Sequence, residues 1–324
     1  GYIPFDDLPS VYNPPEGYIA TANNPVVDGS YPHLLTTDWD HGDRAARIVA
    51  MIEADASIDL DDVAAMQFDN QNRHADRLLP WFTSVDLVGE GGTLVRAKEI
   101  LSTWDRNNDA DSAGAAIFEA VWRNLLMLTF HDDLVEDIWP RGGSRWSLAV
   151  AGMLENPKLS IWDDSSTSEV EDRDDILEAA FRAGVAEVED LLGGDPDEWQ
   201  WGQLHGAVFR NETLGESGVG FVESRFNRGP YPAAGGTDIV NATGWRAEEG
   251  YDVTWVPSLR MIVDMGDLNN SLAIHTTGQS GHAYNSHYQD MVEPWSEGEY
   301  FPMEWDRAAV ELGAEGKLVL RATD

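Results

Sequence analysis

A chain of 324 residues with 42% hydrophobic content can bury a sizeable core, as one large or two ordinary domains. Its 58 acidic side chains against 21 basic ones leave a net charge of -37, which opposes phosphate contacts and argues against nucleic acid as a partner. Cysteine is absent, so disulfides, thiolate catalysis and cysteine-based zinc sites are excluded.

Residues 1–38 are rich in Pro, Gly, Asn and aromatics with short extended runs, and read as loop and strand. Helical periodicity begins at Asp43, where Ala45, Ile48, Val49 and Ile52 share a face as far as Ala54. A second helix is predicted over 59–68, with Ser57 as its cap, and others over 73–87, 93–104, 113–130 and 173–192. The longest apolar run, 121–130, is too short and too interrupted to span a membrane. The acidic stretch 163–175, DDSSTSEVEDRDD, reads as solvated loop. Beyond residue 205 Gly, Pro, Asn and aromatics return, with strands predicted at 259–265, 271–276 and 317–321. The pattern predicts an α+β protein: a strand and loop segment 1–38, a mostly helical section 39–205 and a strand-bearing section 206–324. It lacks the strand–helix alternation of a doubly wound sheet.

Some patterns only imitate sites. TTGQSGH (276–282) spaces its serine as G-x-S-G, not as the G-x-S-x-G of a nucleophile elbow, and reads as a tight turn. His275, His282 and His287 fit no H-E-x-x-H pattern. Asp105, Asn107, Asp109 and Asp111 mimic the start of an EF-hand loop, but Ala110 stands at the glycine position and Ala116 at the glutamate. Of the 13 tryptophans, Trp39, Trp81, Trp104, Trp122 and Trp146 fall within or beside apolar helical patterns and read as core.

Seven strings carry more. VYNPPEGYIATANN, HGDRAARI, LDDVAAMQFDNQN, WGQLHGAVFRN, FNRGPYPAAGG, NATGW and SLRMIVDMGDLNNSLAIHTTGQSGHAYNSHYQD stand in this order. In them the chain resembles the later part of the β chain of a penicillin acylase of halophilic, haloarchaeal type. The resemblance implies the N-terminal nucleophile hydrolase architecture, a four-layer αββα sandwich. It also implies hydrolysis of N-acyl amides such as penicillins or N-acyl homoserine lactones. In that family the nucleophile is the serine that begins the β chain, with its own α-amino group as base and an asparagine amide as half of the oxyanion hole. Asn23 matches the asparagine, and Arg44, in HGDR, matches an active-site arginine expected to steady Asn23 or the polar half of the substrate. A side-chain amide suits the task physically: it offers two donors, and once fixed it needs no reorganisation as negative charge develops.

The chemistry requires no cofactor. Structural calcium is expected through the complete enzyme, with Asp28 and Asp38 as the candidate ligands in this chain. Gly1 is no nucleophile, and the residues after it match the middle of a β chain, so the chain is expected to be one piece of a processed precursor and inactive alone. Its partners are then the α chain, the N-terminal part of the β chain and a small N-acyl amide. An extracellular or cell-surface location is expected, as for the relatives. The alternative is a non-catalytic binding protein derived from the acylase fold.

The charge also makes a statement about solvent. Like charges at this density destabilise a compact state at low ionic strength, whereas molar salt shortens the Debye length to about 3 Å and removes the penalty. Thermal unfolding in about 0.1 M and about 2 M KCl is the check: the midpoint is expected to rise by several degrees at the higher salt, and an unchanged midpoint would contradict this reading of the surface.

Overall fold

The computed structural model describes residues 1–322. Its helices are α1 (Asp43–Ala54), α2 (Leu60–Gln67), α3 (His74–Ser84), α4 (Thr93–Thr103), α5 (Ala113–Phe130), α6 (Ser144–Leu154), α7 (Arg173–Leu192), α8 (Trp201–Leu204), α9 (Gly220–Phe226), α10 (Val292–Ser296) and α11 (Arg307–Gly313). Its strands are β1 (Gly206–Phe209), β2 (Arg228–Pro232), β3 (Leu259–Ile262), β4 (Leu272–His275) and β5 (Phe301–Pro302). The mixture of helices and small sheets is α+β. The chain divides into two compact units, one formed by 1–57 with 68–256, the other by 58–67 with the residues from 257 onward.

The larger unit is organised around α5. Its sequence, AGAAIFEAVWRNLLMLTF, is apolar on nearly every side, and a helix of that kind is stable only when it is surrounded. It is buried almost throughout, and Ser112 caps it by accepting a hydrogen bond from the Ala115 N–H at 3.2 Å. Helix α7 lies along it. At Gly184 the two backbones touch: a Cβ there would stand 2.8 Å from the Val121 nitrogen. On another side Phe82, Trp104 and Phe118 stack at tilted angles with centroids 5.2–5.3 Å apart. The acidic tract ends in the start of α7, where Asp172 and Asp175 form a reciprocal capping box.

α5 also anchors irregular chain. The Trp122 indole donates to the Gly142 carbonyl at 3.1 Å, and the Arg123 Nε donates to Ala247 O at 2.9 Å. The fully buried Glu119 Oε1 accepts from the side-chain amides of Asn72 (2.9 Å) and Asn108 (2.7 Å). Burial pushes this carboxyl up to about 7, and the two amide hydrogen bonds act in the opposite direction. Neighbouring backbone is pinned to the same knot: Asn108 N–H donates to Asn70 O, Gly235 N–H to Asn108 O and Asn241 N–H to Asp69 O, at 2.8–3.0 Å.

The predicted helices are present with small shifts at their ends, but three expectations differ from the structure. Residues 1–42 form no strand, only a short 3-10 turn at Phe5–Asp7, and among the described residues no strand offers this segment an edge. Ser57 does not cap α2; Asp59 does, accepting from the Asp61 and Asp62 N–H groups while Asp62 accepts from its own. Residues 317–321 form no strand either. Helix α6 and the antiparallel pair β1–β2 were not predicted, nor were the short α8–α11 and β5: two glycines and an Arg-Trp pair disguise α6, and the β1–β2 pair is very short with an irregular register between Ala207 and Phe209. The smaller unit holds an antiparallel sheet in the order β3-β4-β5, with Leu259 opposite His275 and Ile262 opposite Leu272. No helix among the described residues is long and apolar enough to cross a membrane.

Gly184→Ala is expected to destabilise the chain by about 1–3 kcal/mol, because the added methyl meets backbone that cannot yield. Gly152→Ala on α6 has open space around it and is expected to stabilise by up to about 1 kcal/mol. Urea unfolding of the two variants checks the opposite signs.

Candidate active site

The turn from Gly42 into α1 is shaped by two local features. Gly42 adopts φ +92°, and Asp40 Oδ1 accepts its N–H at 2.8 Å, which starts the helix with Asp43 and Arg44 in the first turn. Arg44 then reaches back to the preceding loop. Its Nη2 donates to Asn23 Oδ1 at 2.8 Å and to Ala22 O at 3.1 Å, and stands 3.6 Å from Asp40 Oδ2. The Asp40 N–H donates to Asn23 O at 2.9 Å. Asn23 is thus held by both backbone and side chain, in the left-handed region at φ +64°.

This contact fixes which way the amide faces. A guanidinium has only donors, so the atom it holds must be the amide oxygen, and the NH₂ end of Asn23 must point away from Arg44. Asn23 and Arg44 line a hollow of about 470 Å³ together with Trp39, Asp40, Asp238 and Trp255; α6 contributes Ser144, Arg145 and Trp146. The wall combines donors, carboxylates and aromatic faces, as a site for a small polar molecule requires.

Behind the hollow lies a buried charge cluster. Arg77 forms a bidentate pair with Asp43 (2.6 and 2.9 Å) and donates to the Ser147 hydroxyl at 2.8 Å. Burial alone would raise the Asp43 carboxyl, but the bidentate Arg77 guanidinium holds it below its usual range. His74 is buried, and its Nε2 makes no hydrogen bond within the described residues, standing 3.7 Å from Asp43 Oδ2 and 3.6 Å from Asp238 Oδ2. Burial pushes His74 down to about 4, so the ring is neutral at pH 7. Asp238 sits at φ +60° and accepts a short hydrogen bond from the Ser144 N–H at the start of α6. Burial and the facing Asp40 carboxylate push Asp238 up to about 6.

Asn23 and Arg44, predicted from separate strings, are in contact. Asp28 and Asp38 are not gathered with other ligands: Asp28 closes a local turn with Ser30, and Asp38 is exposed and paired with Arg145 at 3.2 Å. Asp38 lies on the rim of the same hollow as Asp40 and Asp238, and among the described residues no three acidic or histidine side chains are grouped to hold a metal ion. The histidines of the smaller unit serve local structure. His287 bridges Asp290 (2.6 Å) and Glu315 (3.0 Å), which raise its pKa, and Ser280 turns its loop by accepting from the His282 N–H. Sequence reasoning missed Asp43, His74, Arg77 and Asp238. One aspartate among 58 acidic residues has no signature of its own, although Asp238 lies between two of the quoted strings.

Arg77→Ala would leave the Asp43 carboxylate buried without its partner and is expected to cost about 3 kcal/mol. Chemical denaturation of the variant checks the loss, and a value near zero would mean that water reaches Asp43.

A family model described as Penicillin amidase matches residues 1–312. The chain is 29% identical to the acyl-homoserine lactone acylase QuiP of Pseudomonas aeruginosa over 91% of its length and 38% of the relative's. It is also 29% identical to the penicillin acylase 2 proenzyme of a Pseudomonas species, over 98% of this chain and 41% of that one. It thus spans about two fifths of the relatives it matches. Among solved structures, the thermostable penicillin G acylase of Alcaligenes faecalis superposes on 99% of the chain with a TM-score of 0.58, at 16% identity and over 60% of that protein, which is a likeness of fold.

Proposed function

The chain belongs to the penicillin amidase family, and on that premise we propose that it forms the later part of the β chain of an amidase that cleaves N-acyl amides, with Asn23 as oxyanion donor and Arg44 as its support. The observation that carries the reading is the contact at Asn23: Arg44 holds its oxygen, which leaves the NH₂ donors of this hollow-lining residue uncommitted to Arg44. The names of the relatives suggest N-acyl homoserine lactones and penicillins as the substrates to try.

In this reading the serine that begins the complete β chain attacks the amide carbonyl, and its own α-amine, with a reference pKa of about 7.7–8.0, takes the hydroxyl proton. A C–O bond forms, the carbonyl π electrons move to oxygen, and the oxyanion is met by a backbone N–H and by Asn23 Nδ2. Collapse breaks the C–N bond and the proton passes to the leaving amine. Water then hydrolyses the acyl ester by the same route. Because Asn23 is already clamped, its dipole needs no reorganisation when charge appears, which is where such donors gain their effect. The complete protein, with an α chain and the rest of the β chain as partners, would carry the four-layer αββα sandwich. A halophilic habit, a location outside the cell and structural calcium belong to the same proposal. They are supported by charge or resemblance alone.

The test is Asn23→Ala in the complete, processed enzyme. The expected result is a fall in kcat of about 10²–10³ with little change in KM. Turnover that survives the substitution would remove Asn23 from the mechanism.

A further inference from the structure

Asp40 stands at the junction of the two residues to which the mechanism gives a role. Its N–H donates to Asn23 O at 2.9 Å, and its Oδ2 lies 3.6 Å from the same Arg44 Nη2 that holds Asn23 Oδ1 at 2.8 Å. These contacts close a ring that runs from the Asn23 carbonyl to the Asp40 N–H, from the Asp40 carboxylate to the Arg44 guanidinium, and from there back to the Asn23 amide oxygen. The carboxylate is itself fixed, because its Oδ1 accepts the Gly42 N–H at 2.8 Å and the side chain is only 7% exposed. Arg44 depends on this carboxylate for its counter-charge. Among the described residues no other carboxylate forms an ion pair with it, since the neighbouring Asp43 is engaged by Arg77. Its other partners, Asn23 Oδ1 and Ala22 O, are neutral acceptors, and its Nε is buried without a hydrogen bond in the described residues. A largely buried cation that loses its partner is left uncompensated, and it moves toward other negative charge or toward water.

We propose that Asp40 is a positioning residue of the oxyanion donor: its carboxylate keeps the Arg44 guanidinium on the amide oxygen of Asn23, while its N–H keeps the Asn23 main chain in place. The inference rests on the amidase reading of Asn23. The two links divide the work. The N–H link holds the backbone of Asn23 at its left-handed φ of +64°, and the charged link holds the side chain through Arg44. A donor oriented in this way meets the oxyanion without first having to turn, so the loss of either link falls on the chemical step and not on substrate binding.

Asp40→Asn removes the charged link alone. The backbone N–H remains and the carboxamide oxygen can still accept from Gly42, but the NH₂ then faces the guanidinium, donor against donor. In the complete, processed enzyme kcat should fall by about tenfold with KM little changed. A double-mutant cycle with Asn23→Ala separates positioning from a merely structural role. If Asp40 acts through Asn23, adding Asp40→Asn to Asn23→Ala should lower kcat by less than about twofold, because the group to be positioned is already gone. A structural defect would lower kcat by the same factor in both backgrounds. Asp40→Ser, which keeps a hydroxyl acceptor for the Gly42 N–H and carries no charge, is the second variant should the first fail to fold, and the same pattern is expected of it. Undiminished kcat in the variant that folds, or an equal loss in both backgrounds, would overturn the positioning role and leave the amidase reading intact. A wild-type enzyme that cleaves no N-acyl amide, or an Asn23→Ala enzyme with unchanged kcat, would overturn the amidase reading of Asn23, and the positioning role with it.

Discussion

A single buried carboxyl, that of Glu119, holds together the parts of the larger unit that have no regular structure. Through Asn72 and Asn108 it fastens two stretches of irregular chain to the most buried helix, and through Asn70 and Asn241 the same knot reaches the loop that carries Asp238. Asp69, beside the knot, forms a bidentate pair with Arg47 of α1, one turn beyond Arg44 on the same helix. Both sides of the hollow are therefore referenced to one polar point in an otherwise apolar core. Such a network specifies geometry only if its members are satisfied, because an unpaired buried amide costs about 1–3 kcal/mol. Asn72 meets that condition twice over, since its side-chain oxygen also accepts the first N–H groups of α3.

The hollow solves a problem that an acidic protein sets for itself. An oxyanion site of the kind proposed must favour negative charge, yet this chain carries -37. The local answer is to set two guanidinium groups against carboxylates, Arg44 beside Asp40 and Arg77 on Asp43, so that neither cation is left free to drift toward the acidic surface. His74 adds no charge at neutral pH, because its burial keeps the ring unprotonated. What faces the hollow from Asn23 is then a neutral amide dipole, which can stabilise a developing anion without carrying a net charge of its own.

How legible this was in the sequence depended on the range of the interactions. Helices α5 and α7 could be placed in the chain because a long apolar run and apolar spacing are local signals, whereas the aspartate that caps α7 was read as loop. The extended look of residues 12–24 misled, because strand formation needs a partner and partners are not local. Asn23 and Arg44 were found through strings that resemble a family, and their contact lay beyond any spacing rule, since they are 21 positions apart across mostly irregular chain. Asp238 was invisible for the same reason. Its importance comes from neighbours that are distant in sequence, and its composition is the commonest kind in this chain.

The backbone contact at Gly184 has a mechanical meaning. Helices separated by side chains can slide or rock a little by exchanging rotamers, whereas two that meet backbone to backbone have no compliant layer between them. The α5–α7 pair is thus a stiff beam, and Trp122, Arg123 and Glu119 clamp one wall of the hollow to it. Any change of shape that accompanies the arrival of a ligand must fall on softer material. The chain before α1, with no regular structure apart from one short turn and little buried surface, is that material. Asn23 is the part of that segment exempt from it, because Arg44 and the Asp40 N–H tie this one residue to the start of α1.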